Sequence, residues 1–167
     1  MSTEPAYSSK GAIFSPCKTY RYTLWREWQT LDPTRKCVLF VMLNPSTADE
    51  NVLDPTVRRC LGYAMNWGFN RMEIANIFAL RSTDPKELYK CEDPIGIENN
   101  VYIQKLASES DLVIAAWGTH SKYNNRGDAV IKILKEVCKP HYLKNSKDGI
   151  PCHPLYLKRD LIPQEIL

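Results

Sequence analysis

The chain is 167 residues long, enough for one domain with its own core, and its apolar (44%) and charged (25%) fractions are those of an ordinary globular protein. No apolar run reaches the ~20 residues that span a bilayer, and the polar stretch Met1 to Lys10 lacks the apolar centre of a secretory signal, so membrane and secreted classes are set aside and a cytoplasmic protein is expected. A net charge of +3 is too small to indicate nucleic-acid binding by itself.

Residues 1–16 read as a weakly ordered arm in front of a single domain. Tyr20 to Trp28 alternates aromatic or apolar residues with polar ones, as a half-buried strand does, and Asp32-Pro33 marks a turn. Cys37 to Leu43 (CVLFVML) is a continuous apolar run of strand length, suited to a strand buried on both faces. A helix follows, with Asp54 as N-cap, Pro55 at its first position, and Val57, Cys60, Leu61, Ala64 and Met65 at helical spacing. A second strand is predicted over Glu73 to Leu80, a helix over Ile97 to Ser108, and a third buried strand over Asp111 to Trp117. Another helix is predicted over Gly127 to Val137 and a short fourth strand over Lys139 to Lys144. Strands alternating with helices predict an α/β fold, a three-layer αβα sandwich around a largely parallel four-stranded sheet.

Ligands of such sheets sit beyond the carboxyl ends of the strands. Three polar clusters fall there: Asn44-Pro45-Ser46, Arg81-Ser82-Thr83-Asp84-Pro85, and Gly118-Thr119-His120 after Trp117. Each has a plain structural use. Asn-Pro-Ser is turn chemistry, Ser-Thr-Asp-Pro caps turns or helices, and His120 suits a cap or the surface. Their functional use is equally concrete. The Asn44 amide can hold a water. Asn76, inside an apolar strand, is either a core amide bonded to backbone or a reader of a donor–acceptor edge such as a pyrimidine's. Between Lys139 and Arg159 lie Lys139, Lys144, Lys147, Lys158 and Arg159 with His141 and His153, opposed only by Asp148. This segment suits phosphates or is a solvated lysine-rich surface. His153 is a surface histidine or a donor to a leaving group. Leu155 and Tyr156 are packing residues or an apolar wedge for a vacated base stack. The six cysteines form no C-x-x-C pair and read as reduced, mostly buried thiols, so no metal or cofactor is expected.

Taken in order, these segments resemble the uracil-DNA glycosylase superfamily. FVMLNPS is similar to its first motif, NIFALRSTDP to the strand carrying its base-reading Asn, DLVIAAWGTH to its strand ending L-W-G, and HPLYL to its H-P-S motif with the following intercalating loop. The chain is also similar to a bacterial and phage family carrying L-N-P-S-T-A and H-P-L-Y-L. The resemblance implies that Asn44 positions water and His153 stabilises the departing base. It further implies a pocket of Pro45, Ser46, Asn76, Trp117 and Gly118, and DNA contacts by Arg81, Lys144, Pro154, Leu155, Tyr156, Lys158 and Arg159. No catalytic Asp follows residue 43, and Ser46 stands where a bulky Tyr excludes 5-substituted pyrimidines. The implied activity is that of a monofunctional glycosylase on a modified pyrimidine. Glucosylated 5-hydroxymethylcytosine in double-stranded phage DNA is the leading substrate, because bacterial antiphage glycosylases of this general type remove it. A uracil or mismatch repair glycosylase, a nucleoside or nucleotide hydrolase and a non-catalytic DNA-binding module stay open. A short chain without a long amphipathic seam points to a monomer.

Overall fold

The computed structural model describes residues 4–167. One mixed sheet organises the chain. Its strands are β1 (Tyr7–Phe14), β2 (Arg21–Trp28), β3 (Cys37–Met42), β4 (Arg71–Asn76), β5 (Leu112–Ala115), β6 (His141–Tyr142) and β7 (Gln164–Glu165), in the spatial order β1-β2-β4-β3-β5-β6-β7. The four strands β4, β3, β5 and β6 are mutually parallel; β1 and β2 on one side and β7 on the other pair antiparallel. The expected four-stranded parallel set therefore forms the centre, but the sheet has seven strands rather than four.

Every residue of β3 is buried. Successive side chains point to opposite faces: Val38, Phe40 and Met42 join one core cluster, Leu39 and Val41 the other. Helix α1 (Pro55–Asn66) covers the first face through Val57, Cys60, Leu61 and Ala64. Helices α2 (Asn99–Glu109) and α3 (Arg126–Val137) cover the second through Ile103, Leu106, Ala107, Val130 and Leu134. Full burial of each large apolar side chain contributes about 1.5–3 kcal/mol, so the sheet centre is the stability anchor. The α1 N-terminus forms as its sequence dictates. Pro55 opens the helix, and the Asp54 carboxylate accepts the Val57 N–H at 2.9 Å.

Three sequence expectations change. Residues 7–14 are not a loose arm but an edge strand, while residues 1–3 of that arm lie outside the described residues. The alternating pattern of β1 is mostly polar because one of its faces meets water. Gly11 is required there by the Trp25 indole lying over it, which leaves no room for a Cβ. The second predicted strand ends at Asn76 and not at Leu80. Ile77 and Phe78 still donate to the Met42 and Leu43 carbonyls, after which the chain turns away over the strand ends. The six cysteines are free, as read, yet only Cys37 and Cys60 are buried. Cys91, Cys138 and Cys152 are half-buried and Cys17 is exposed. Among the described residues no helix is long and apolar enough to cross a membrane.

Candidate functional site

The chain runs from β3 through α1 to β4 on one side, and from β5 through α3 to β6 on the other, with the two helices on opposite faces. Right-handed crossovers require that arrangement. It places a topological switch point between β3 and β5, where the loops leaving the two strands diverge and open a crevice. A cavity of about 580 Å³ occupies it.

Two loops form its walls and are locked together. The Asn44 side chain donates through Nδ2 to the carbonyls of Ser82 (2.9 Å), Pro45 (3.1 Å) and Leu80 (3.4 Å), and Ser82 N–H donates to the Pro45 carbonyl. Asn44 thus staples the loop after β3 to the loop after β4, and its Oδ1 accepts from no protein group among the described residues. From beneath, Arg21 Nη1 holds the Ala48 carbonyl at 2.8 Å and Arg26 Nη2 the Asp49 carbonyl at 2.7 Å. Arg21 reaches that loop because two residues of β2 oppose one of β1 between Thr23 and Arg21. The extra residue breaks the alternation and re-aims the side chain.

Asn76 lies at the cavity floor, at the last position of β4. It is 1% exposed, and neither its Nδ2 nor its Oδ1 has a hydrogen-bond partner among the described residues. Its backbone is fixed instead: Asn99 Nδ2 donates to the Asn76 carbonyl at 2.8 Å, and Arg126 Nε to the neighbouring Ile77 carbonyl at 2.7 Å. A buried amide left unpaired costs roughly 1–3 kcal/mol. Here that cost falls on the donor and the acceptor of one residue that lines the cavity.

The third wall brings Trp117, Gly118 and His153 together. Gly118 donates its N–H to the Pro151 carbonyl, which draws the loop after β5 against the segment carrying His153. Gly118 has φ +81° and ψ −174°, a region open essentially to glycine alone. A Cβ there would sit 3.6 Å from the His153 Cβ, an ordinary contact, so the penalty of Gly118→Ala comes from backbone strain. A loss of about 1–3 kcal/mol in urea denaturation is expected. No loss would mean that this loop adopts another conformation in solution.

Burial holds the His153 imidazole below its ordinary pKa of 6.5, with the Asp54 carboxylate opposing the shift. The Leu155 N–H approaches Nδ1 at 3.4 Å, an arrangement that leaves Nε2 carrying the proton of the neutral ring. The unfolded chain therefore takes up this proton more readily than the folded one. Stability from this group is complete above pH 6.5 and is lost as pH falls toward the lowered folded-state value. His153→Gln is expected to flatten that decline. Urea titrations on either side of neutrality check it, and an unchanged pH slope would assign the titration to another group.

Of the expected site residues, Asn44, Ser46, Asn76, Trp117, Gly118, His153 and Leu155 all line the cavity. Pro45 is buried beside them without lining it, and Pro154 is buried as well. Leu155 also lines an adjoining groove of about 810 Å³ that holds Arg58, Arg59, Tyr63, Tyr156 and Arg159. Tyr156 is 92% exposed at φ +70°, a conformation unusual for a bulky side chain. Lys158 is exposed and its carbonyl accepts from the Tyr63 hydroxyl. Lys144 is exposed on the segment after β6. Arg81 lies apart from the cavity, over the Phe14 ring and bonded to the Lys18 carbonyl. His120 stands at the cavity, bonded through Nδ1 to the Tyr89 hydroxyl, and Asp84 caps the 3-10 turn Pro85–Tyr89. Sequence reasoning missed Arg21, Asp54 and Thr56 as lining residues. Asp54 was legible as an N-cap, and the one signal for Arg21 was a cation inside an aromatic strand.

These features define an α/β protein with a crevice at the switch point of its parallel strands. The chain belongs to the family described as protein of unknown function (DUF1643), whose model matches residues 21–155. That span opens at Arg21 and closes at Leu155, so every residue lining the cavity falls inside it, whereas Tyr156, Lys158 and Arg159 fall outside. No curated protein and no solved structure matches the chain.

Proposed function

We propose that the protein is a monofunctional DNA glycosylase of the uracil-DNA glycosylase type, acting in the cytoplasm on a 5-substituted pyrimidine flipped out of DNA. The observation that carries this reading is the unpartnered Asn76 amide at the cavity floor. A carbonyl and an NH2 side by side match the edge of a pyrimidine, which in a cytosine offers N3 as acceptor and the C4 amino group as donor. The cavity lies within the ~300–1,000 Å³ of small-ligand sites, and small Ser46 leaves space for a group at C5. Glucosylated 5-hydroxymethylcytosine is the leading candidate base.

In the proposed reaction the C1′–N1 bond breaks and the base leaves with the bonding pair, while water adds its oxygen to C1′ and releases a proton to solvent or the base. The neutral His153 ring donates from Nε2 to the oxygen on which the base's negative charge develops. Asn44 orients the water through Oδ1, since its Nδ2 is already committed to backbone carbonyls. Exposed Tyr156, with Leu155 beside it, fills the vacated stack, and Arg58, Arg59 and Arg159 line the path of the phosphates.

The reading is tested by mass spectrometry of the small molecules released from DNA carrying the glucosylated base, uracil or neither. Free modified base, with the strand intact and the yield unchanged in EDTA, is the expected result. Release of uracil alone would make this a repair enzyme. Hydrolysis of free nucleosides with DNA left untouched would replace the reading with a nucleoside hydrolase.

A further inference from the structure

We propose that Arg21 forms a phosphodiester subsite in the same cavity, taking the singly charged phosphate attached to the nucleotide whose base faces Asn76; this rests on the glycosylase reading above. Arg21 is 1% exposed and spends Nη1 on the Ala48 carbonyl, while its Nε has no partner among the described residues. No carboxylate lies within ion-pair distance of it among the described residues. Burial pulls its pKa down to about 10, so it stays cationic at neutral pH. A buried guanidinium with no carboxylate paired to it is costly unless an anion meets it, and this one lines the cavity.

The surroundings set the charge of that anion. Ser46 and Thr56 line the same cavity, and neither hydroxyl is bonded to a protein group among the described residues. At the helix terminus Pro55 has no N–H, and Asp54 takes that of Val57. Asp54 itself lines the cavity, and its negative charge opposes a second one on the ligand. With Asp54 beside Arg21, the monoanion of a phosphodiester is favoured over the dianion of a terminal phosphate. The subsite thereby selects a nucleotide within a strand over a free mononucleotide.

The test titrates the full chain with 2′-deoxycytidine, its 5′-monophosphate and the dinucleoside phosphodiester d(CpC), following binding by NMR. The diester is expected to bind about tenfold or more tighter than the nucleoside, with the monoester gaining less. Arg21→Met abolishes the diester's gain and Arg21→Lys retains part of it. Asp54→Asn keeps the helix cap and is expected to tighten both phosphates, the monoester most, a gain that no folding defect can mimic. Equal binding of nucleoside and diester in the wild type, or an undiminished gain in Arg21→Met, overturns the subsite. If the diester's gain depends on Arg21 but survives replacement of cytosine by an abasic sugar, the subsite stands and the base-reading role of Asn76 falls.

Discussion

Replacing Asn76 by valine is expected to make the protein more stable and to abolish excision. The two amide atoms of Asn76 have no protein partner among the described residues and almost no exposure to solvent, so the folded state carries their desolvation without compensation. Valine is similar in size and favours a strand. Removing the unpaired groups should raise the unfolding free energy by about 1–3 kcal/mol, or several degrees in Tm. If the amide exists to meet a ligand edge, the same change removes the recognition. A stabilised and inactive variant is the signature of strain kept for function. Thermal unfolding and an excision assay on the same preparation check both halves. A destabilised Asn76→Val would mean that the amide is a structural element of the core.

The second large effect is expected at Asn44, in the opposite direction for stability. Its Nδ2 joins the two loops through the carbonyls of Pro45, Leu80 and Ser82. Asn44→Ala leaves those acceptors without their donor, and because the residue is half-buried, water replaces only part of the loss. A destabilisation of about 1–3 kcal/mol is expected, with excision reduced by about 10²-fold or more as the water and the walls lose register. DNA binding should persist, since the basic groove lies on α1 and the segment after His153. Wild-type turnover in folded Asn44→Ala would remove Asn44 from the mechanism and leave it only as the staple.

What the sequence made legible follows from how local the signals are. The apolar run CVLFVML suited a strand buried on both faces, which the structure forms over Cys37–Met42, and Asp54-Pro55 announced a helix start that forms with the expected cap. The polar clusters after the strands were readable as a crevice because parallel strands must all end on one side. Asn44, Asn76 and His153, 109 positions apart from first to last (153 − 44), do line one cavity. The edges were less legible. β1 has a wet face and a glycine chosen by Trp25, a partner 14 positions away (25 − 11), and β7 is two residues long. Arg21 was illegible for a related reason. Its place at the cavity depends on a bulge defined by pairing with β1, and no window of neighbouring residues encodes that pairing.

The most direct measurement counts abasic sites with an aldehyde-reactive probe after incubating the protein with DNA carrying glucosylated 5-hydroxymethylcytosine, beside unmodified DNA and beside the Asn76→Val variant. Abasic sites in the modified DNA, produced by the wild type and absent with the variant, are the predicted result. No abasic sites in modified or uracil-containing DNA from folded wild-type protein would contradict the account.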